Sequence, residues 1–182
     1  MMKKIILFGI LSFLLLVLYS FPLSKPRAEY MLPYPSYMPG NKIYRISRII
    51  DSLNRFWYFG NIAQIRYHIG LSDKYLVEAK TLMEYKQYLL ATDALMRSDN
   101  EFMQVLQYVK QAGGKNIDTT NLKITIIGSA DKHEEVLTNL ISSTPIQFVW
   151  SPEKSAATTL LIHDNIEKSR TIRKQIRNEM QP

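Results

Sequence analysis

The sequence predicts an all-α protein: an N-terminal transmembrane helix followed by an antiparallel bundle of about five helices. Three observations predict it. Ile5 to Leu23 is a run of 19 residues without a charge. From Ile43 to Ile176, apolar residues recur every three to four positions, the period of a helix with one buried face. The chain also holds only 7 glycines among 182 residues, too few for the many tight turns of an all-β fold.

The uncharged run follows a short basic start, Met1 to Lys4. As a helix it reaches about 28 Å, close to the thickness of a bilayer's hydrocarbon core. A helix of a globular core would carry polar residues every few positions. Cleavage of a secretory leader prefers small residues at its last and third-last positions. Ala28 has Pro26 two places before it and Ser20 has Leu18, so neither is a good site. Retention as an anchor is favoured, with cleavage left open. Lys3 and Lys4 place the N-terminus in the cytoplasm, although Lys25 and Arg27 beyond the run weaken that asymmetry. The expected organisation is a cytoplasmic tail (1–4), a signal-anchor (5–23), a Pro/Tyr-rich linker (24–40), a helical bundle domain (41–178) and a short tail (179–182). This describes a single-pass protein of the cytoplasmic membrane with its bulk on the extracytoplasmic side.

The formal charge of +7 belongs largely to the leader region. Lys3, Lys4, Lys25 and Arg27 account for four of the 23 basic residues, leaving 19 against 16 acidic ones. That surplus of three is no concentrated basic face, and nucleic acid is not an expected partner. The absence of cysteine excludes disulfides, thiolate zinc sites and a cysteine nucleophile.

Within the exported part, Tyr30 to Gly40 carries Pro33, Pro35 and Pro39, which deny helix formation and favour an extended segment packed on the bundle. Asn41 can cap a first helix whose stripe is Ile43, Ile46, Ile50, Leu53 and Trp57, supported by Ile49 and Phe56. Its opposite face carries Lys42, Arg45, Arg48 and Arg55. After Phe59-Gly60-Asn61, a second helix places Ile62, Ile65, Ile69, Leu76, Ala79 and Met83 in register, with Gly70 a candidate kink. A turn is expected near Tyr85 to Tyr88, with one continuous helix as the alternative. Tyr88, Ala91, Leu95, Phe102, Val105 and Val109 form the third stripe, closed by Gly113-Gly114. Asp118 or Thr119 opens the fourth helix, with Leu122, Ile126, His133, Leu137 and Leu140 on one face. Ile124, Ile126 and Ile127 look strand-like locally, but an isolated strand has no pairing partner. Pro145 stops that helix, and Ile146 to Trp150 is an apolar connection. Ser151-Pro152-Glu153 then predicts a helix start, leading to a last helix on Leu160, Ile162, Ile166, Ile172 and Ile176.

Four short motifs carry a resemblance. They are Leu32-Pro33-Tyr34-Pro35 with Met38-Pro39-Gly40-Asn41, Leu71 to Ala79 (Leu-Ser-Asp-Lys-Tyr-Leu-Val-Glu-Ala), Lys132-His133-Glu134-Glu135-Val136-Leu137, and Asn165 to Arg170. In this order they resemble a helical domain of unknown function found in bacterial membrane-anchored extracytoplasmic proteins, with related domains in some anti-sigma-like membrane proteins. Tyr44-Arg45-Ile46 and the segment around Phe148 to Trp150 depart from that pattern. The resemblance implies an exported helical bundle and assigns no activity, cofactor or functional residue.

Candidate chemistry is sparse. His133-Glu134 is half of a helical zinc-protease motif, but position 137 is Leu137, so the second ligand is missing and His133 reads as a core histidine. A site joining His68, His133 and His163 would need three helices to converge. Glu134-Glu135 and Asp99/Glu101 point in different directions on a helix. No phosphate loop, nucleophile elbow or calcium loop is present. The expectation is therefore no catalytic, cofactor-binding or metal-binding residue and no cofactor. Lys42, Arg45, Arg48 and Arg55 are candidates for contact with anionic lipid, set against an ordinary solvated helix face. Phe148 and Trp150 are candidates for contact with an unknown protein partner, set against simple closure of the core. The leading expectation is a non-enzymatic membrane-anchored extracytoplasmic helical domain, a binding or scaffolding module of the cell envelope. A sensory or regulatory module acting through a membrane partner is the alternative, and a metal-dependent hydrolase a remote one.

Overall fold

The computed structural model of the chain describes residues 29–114, 118–154 and 156–181. The expected cytoplasmic tail, the signal-anchor and the start of the linker lie outside these residues. Among the described residues, no helix is long and apolar enough to cross a membrane.

The all-α class holds. Five helices are described: α1 (Lys42–Asn54), α2 (Asn61–Glu84), α3 (Tyr88–Gly113), α4 (Thr120–Ser143) and α5 (Ile162–Met180). A two-stranded antiparallel hairpin, β1 (Gln147–Trp150) and β2 (Thr158–Leu161), precedes α5. Four long helices form a ring in which α2 packs on α3, α3 on α5, α5 on α4, and α4 on α2. Two apolar clusters fill it. One gathers Leu76, Ala79, Leu95, Leu137, Leu140 and Ile166. The other gathers Ile65, Ile69, Phe102, Val105, Ile126 and Ile176. Between the clusters, every long helix contributes buried polar residues, described below.

The break after α2 lacks the usual glycine. Lys86 takes φ 59°, its amide donates to Met83 O (2.9 Å), and Gln87 N donates to Leu82 O (2.8 Å). This is a Schellman closure with lysine in the left-handed position. The turn therefore falls where expected, and α2 runs unbroken through Gly70. At the start of α4, the Asp118 carboxylate accepts from Thr120 N at 2.9 Å. Burial in α4 includes Leu122, Ile126, His133, Leu137 and Leu140, so the strand-like isoleucines are helical.

Two expectations are corrected. The last helix begins at Ile162, not after Ser151-Pro152-Glu153, and Leu160 lies in β2. The apolar stretch after Pro145 is a strand because it finds a partner: Gln147 faces Leu161 and Trp150 faces Thr158 across the pair. The β-branched Thr158 and Thr159 suit that role. Ile162 N and His163 N both donate to Ile146 O, tying the hairpin base to the first turn of α5. The second correction concerns α1. Its isoleucine stripe is not in the core, and Tyr44 is its only buried residue.

The segment before α1 lies along the bundle. The Tyr30 ring packs over Gly128 of α4, 3.5 Å from where a side-chain carbon would stand, and its hydroxyl donates to Asp73 of α2. Leu32 and Met38 pack against the first apolar cluster.

Candidate functional site

The most unusual surface belongs to α1, which is fastened to the bundle by its polar face. Tyr44 OH donates to Glu78 Oε1 (2.6 Å) and accepts from Arg97 Nη1 (2.7 Å), bridging α2 and α3. Lys74 of α2 pairs with the Asp51 carboxylate and donates to Ser47 Oγ (3.1 Å). Tyr67 OH donates to the Asp51 carbonyl (2.6 Å), and the Gln64 amide donates to the carbonyls of Arg55 (3.0 Å) and Tyr58. Burial, helped by the nearby carboxylates of Glu101 and Asp51, pushes the Tyr67 hydroxyl up to about 12, so it remains a donor. Burial also raises Glu78, against the opposing pull of Tyr44 and Arg97.

At 100° per residue, Ile43, Ile46, Ile49, Ile50 and Leu53 fall in an arc of about 120° that points away from Asp51. All five are exposed, and Phe56, Trp57, Tyr58 and Phe59 extend the ridge past the helix end. Exposure runs from 41 % at Tyr58 to 83 % at Phe59. Nine large apolar side chains within 17 consecutive residues thus face solvent, a patch of the kind that marks an interaction surface.

The four basic residues of this region do not share one outward face. Lys42 falls within the apolar arc at its first turn and Arg45 borders it, and Arg45 and Arg48 line a shallow depression with Ile49 and Leu53. Arg48 and Arg55 turn toward a cleft of about 380 Å³ between α1, α2 and α3, together with Arg97, Asn100 and Glu101. At its floor His68 Nδ1 pairs with Glu101 Oε2 at 2.6 Å, and the ring stacks on Tyr108. Phe148 lies partly buried against Tyr88, ring centroids 5.0 Å apart, whereas Trp150 is 40 % exposed. Only the second is placed to meet another molecule.

Of the polar layer inside the ring, the sequence pointed only to His133, as a core histidine. Asp73 accepts from His133 Nε2 (2.7 Å), from Ser129 Oγ (3.1 Å) and from Tyr30. His133 Nδ1 accepts from Arg173 Nε (3.3 Å), which fixes the imidazole as neutral with its proton on Nε2. Arg173 pairs with Asp99 and donates to Ser98 Oγ (2.7 Å), while Ser169 Oγ donates to Asp99 (2.8 Å). Ser72 and Ser98 bond each other's carbonyls. Burial, reinforced by the Arg173 charge, holds His133 below its ordinary value despite Asp73.

Ser129, His133 and Asp73 sit together but do not form a nucleophilic relay. A relay needs the serine on one imidazole nitrogen and the carboxylate on the other; here both approach Nε2, at 3.4 and 2.7 Å. All three are buried, so no substrate reaches them. The histidines stay apart: His68 meets Glu101, His133 meets Asp73, and His163 Nε2 meets the Thr144 carbonyl. Among the described residues no cluster of histidine and carboxylate ligands is arranged for a metal ion.

Fold and surface together define a four-helix bundle that displays an outlying amphipathic helix with its apolar side out. Comparison with family models, curated proteins and solved structures finds no match.

Proposed function

We propose that the chain is a non-enzymatic, membrane-anchored domain on the extracytoplasmic side of a bacterial cytoplasmic membrane, serving as a binding or scaffolding module of the envelope through α1. One observation carries this reading: α1 spends its polar face on the bundle and leaves its apolar face for something else. The uncharged Ile5 to Leu23 run supports the anchor. Burial of the polar layer, which leaves its serine and histidine unable to meet a substrate, supports the non-enzymatic part. The four motifs that resemble a bacterial extracytoplasmic helical domain are in keeping with that address.

The address is tested with a single reporter cysteine, since the chain has none. Glu153→Cys lies in the exposed hairpin turn. In intact cells a membrane-impermeant maleimide should label it, and the labelled chain should stay in the membrane pellet after carbonate washing. Labelling only after lysis, or release into the soluble fraction, refutes the reading.

A further inference from the structure

We propose that the occupant of the α1 ridge is the headgroup and upper acyl region of an anionic bilayer, with α1 lying in the plane of the membrane. This rests on the anchored reading above. An in-plane helix needs an apolar face with cations beside it and few acids. In α1, Lys42 begins the isoleucine arc at its first turn and Arg45 borders it, and the only acid, Asp51, faces the bundle and pairs with Lys74. Trp57 and Tyr58 past its end are the residue types that settle at a membrane–water boundary.

The chain path brings this face close to the anchor. Five residues lie between Leu23 and Glu29, six links with a reach of at most about 21 Å. Tyr30 is then fixed to Asp73, and Asp51 of α1 is fixed to Lys74, the next residue of α2. The helix is therefore fastened to α2 one position along from the residue that holds the arriving chain, about 100° further round the helix. A second copy is the poorer occupant. A self-complementary pairing would bring Lys42 and Arg45 of both copies onto one buried face with no outward acid to answer them.

The test uses the full-length chain reconstituted, at high dilution, in phosphatidylcholine vesicles with or without phosphatidylglycerol. Spin labels are placed singly at Ile46→Cys, Ile50→Cys and Leu53→Cys, with Ser47→Cys as a bundle-facing control and Glu153→Cys as a water-facing one. Collision with oxygen and with a water-soluble nickel chelate is measured at each. The expected result is an oxygen-to-nickel ratio several-fold higher at 46, 50 and 53 than at 153, dependent on phosphatidylglycerol and reduced by Lys42→Gln with Arg45→Gln. Nickel access equal to that at 153 overturns the proposal. Shielding from both reagents, as at 47, overturns it in favour of a protein occupant, with spin–spin broadening marking a second copy. Insertion that ignores phosphatidylglycerol also overturns it. A chain that passes the carbonate and maleimide tests while α1 stays in water keeps its address and loses this docking.

Discussion

Replacing Arg173 with methionine tests whether the polar layer holds the bundle together. The guanidinium is wholly buried, pairs with Asp99, donates to Ser98 and His133, and lies 5.2 Å over the Phe102 ring. Methionine keeps most of the packing volume and leaves Asp99 a buried charge with Ser169 as its remaining partner. Breaking a buried pair from one side costs about 3–5 kcal/mol. That is a large share of the roughly 5–15 kcal/mol that stabilises a domain. For a chain of this size it lowers Tm by about 6–20 °C, at about 2–4 °C per kcal/mol. Urea unfolding followed by circular dichroism, on the piece beginning at Glu29, measures the loss. The paired change Arg173→Met with Asp99→Leu removes both charges and should recover most of it, because an apolar pair of similar volume carries no unpaired ion. A single variant within about 1 kcal/mol of the parent, or a double variant no better than the single, refutes the argument.

Three further outcomes follow from the same geometry. Folded His133 binds its proton more weakly than the ordinary value of 6.5, so the unfolded chain holds more protons below that pH. Its contribution is complete above about 6.5 and shrinks as pH falls toward the lower folded value; urea midpoints at descending pH should show this, and His133→Gln should flatten it. Tyr44→Phe removes a bond to buried Glu78 and one from Arg97, costing about 1–3 kcal/mol. Because the loss falls on the attachment of α1, amide exchange should quicken in Lys42–Asn54 well before it does in α2 or α4. Ile46→Gln and Ile50→Gln should each change stability by no more than about 0.5 kcal/mol, whereas Ile65→Ala or Leu137→Ala should cost about 2–5 kcal/mol. Chemical unfolding of the four variants separates a ridge from a core.

Periodicity located the helices because four of the five bury one continuous face, and their stripes are the stripes the sequence shows. It misjudged α1 because an amphipathic pattern says that a helix has two faces, not which of them the rest of the protein covers. The hairpin was hidden for a related reason. Gln147–Trp150 is too short to announce a strand, and its partner Thr158–Leu161 sits behind a Ser-Pro-Glu that imitates a helix start. The polar layer did leave a signal. Ser72-Asp73 and Ser98-Asp99 are repeated dipeptides, and Ser129/His133 and Ser169/Arg173 are spaced four apart. Each interrupts an apolar stripe at its midpoint, and together they are complementary in charge. Read helix by helix, all but His133 look like solvated positions; only the ring that sets all four at one level turns them into a network. Arg173 shows the point best, since a basic residue in a basic helix end suits the helix dipole as well as it suits a buried ion pair.

The inverted seat of α1 is imposed by what lies beneath it. The outer surface of α2 and α3 there presents Lys74, Glu78, Arg97 and Glu101. Laying the isoleucine arc on those groups would strip water from charges and offer them no partner, a cost of several kcal/mol for each buried ion. Turning Tyr44, Ser47 and Asp51 inward answers Glu78, Arg97 and Lys74 instead. The bundle therefore rejects the apolar face before any outside partner is involved. Covering about half of each of the nine outward side chains would then release roughly 7–13 kcal/mol gross. A free partner would lose much of that to the entropy of association. A surface held within reach by the same chain faces less of that loss, because tethering makes the second contact intramolecular. Under the proposed anchoring a bilayer is the covering that exploits the ridge most fully, and shortening the Leu23 to Glu29 connection should strengthen α1 insertion until the reach becomes too small.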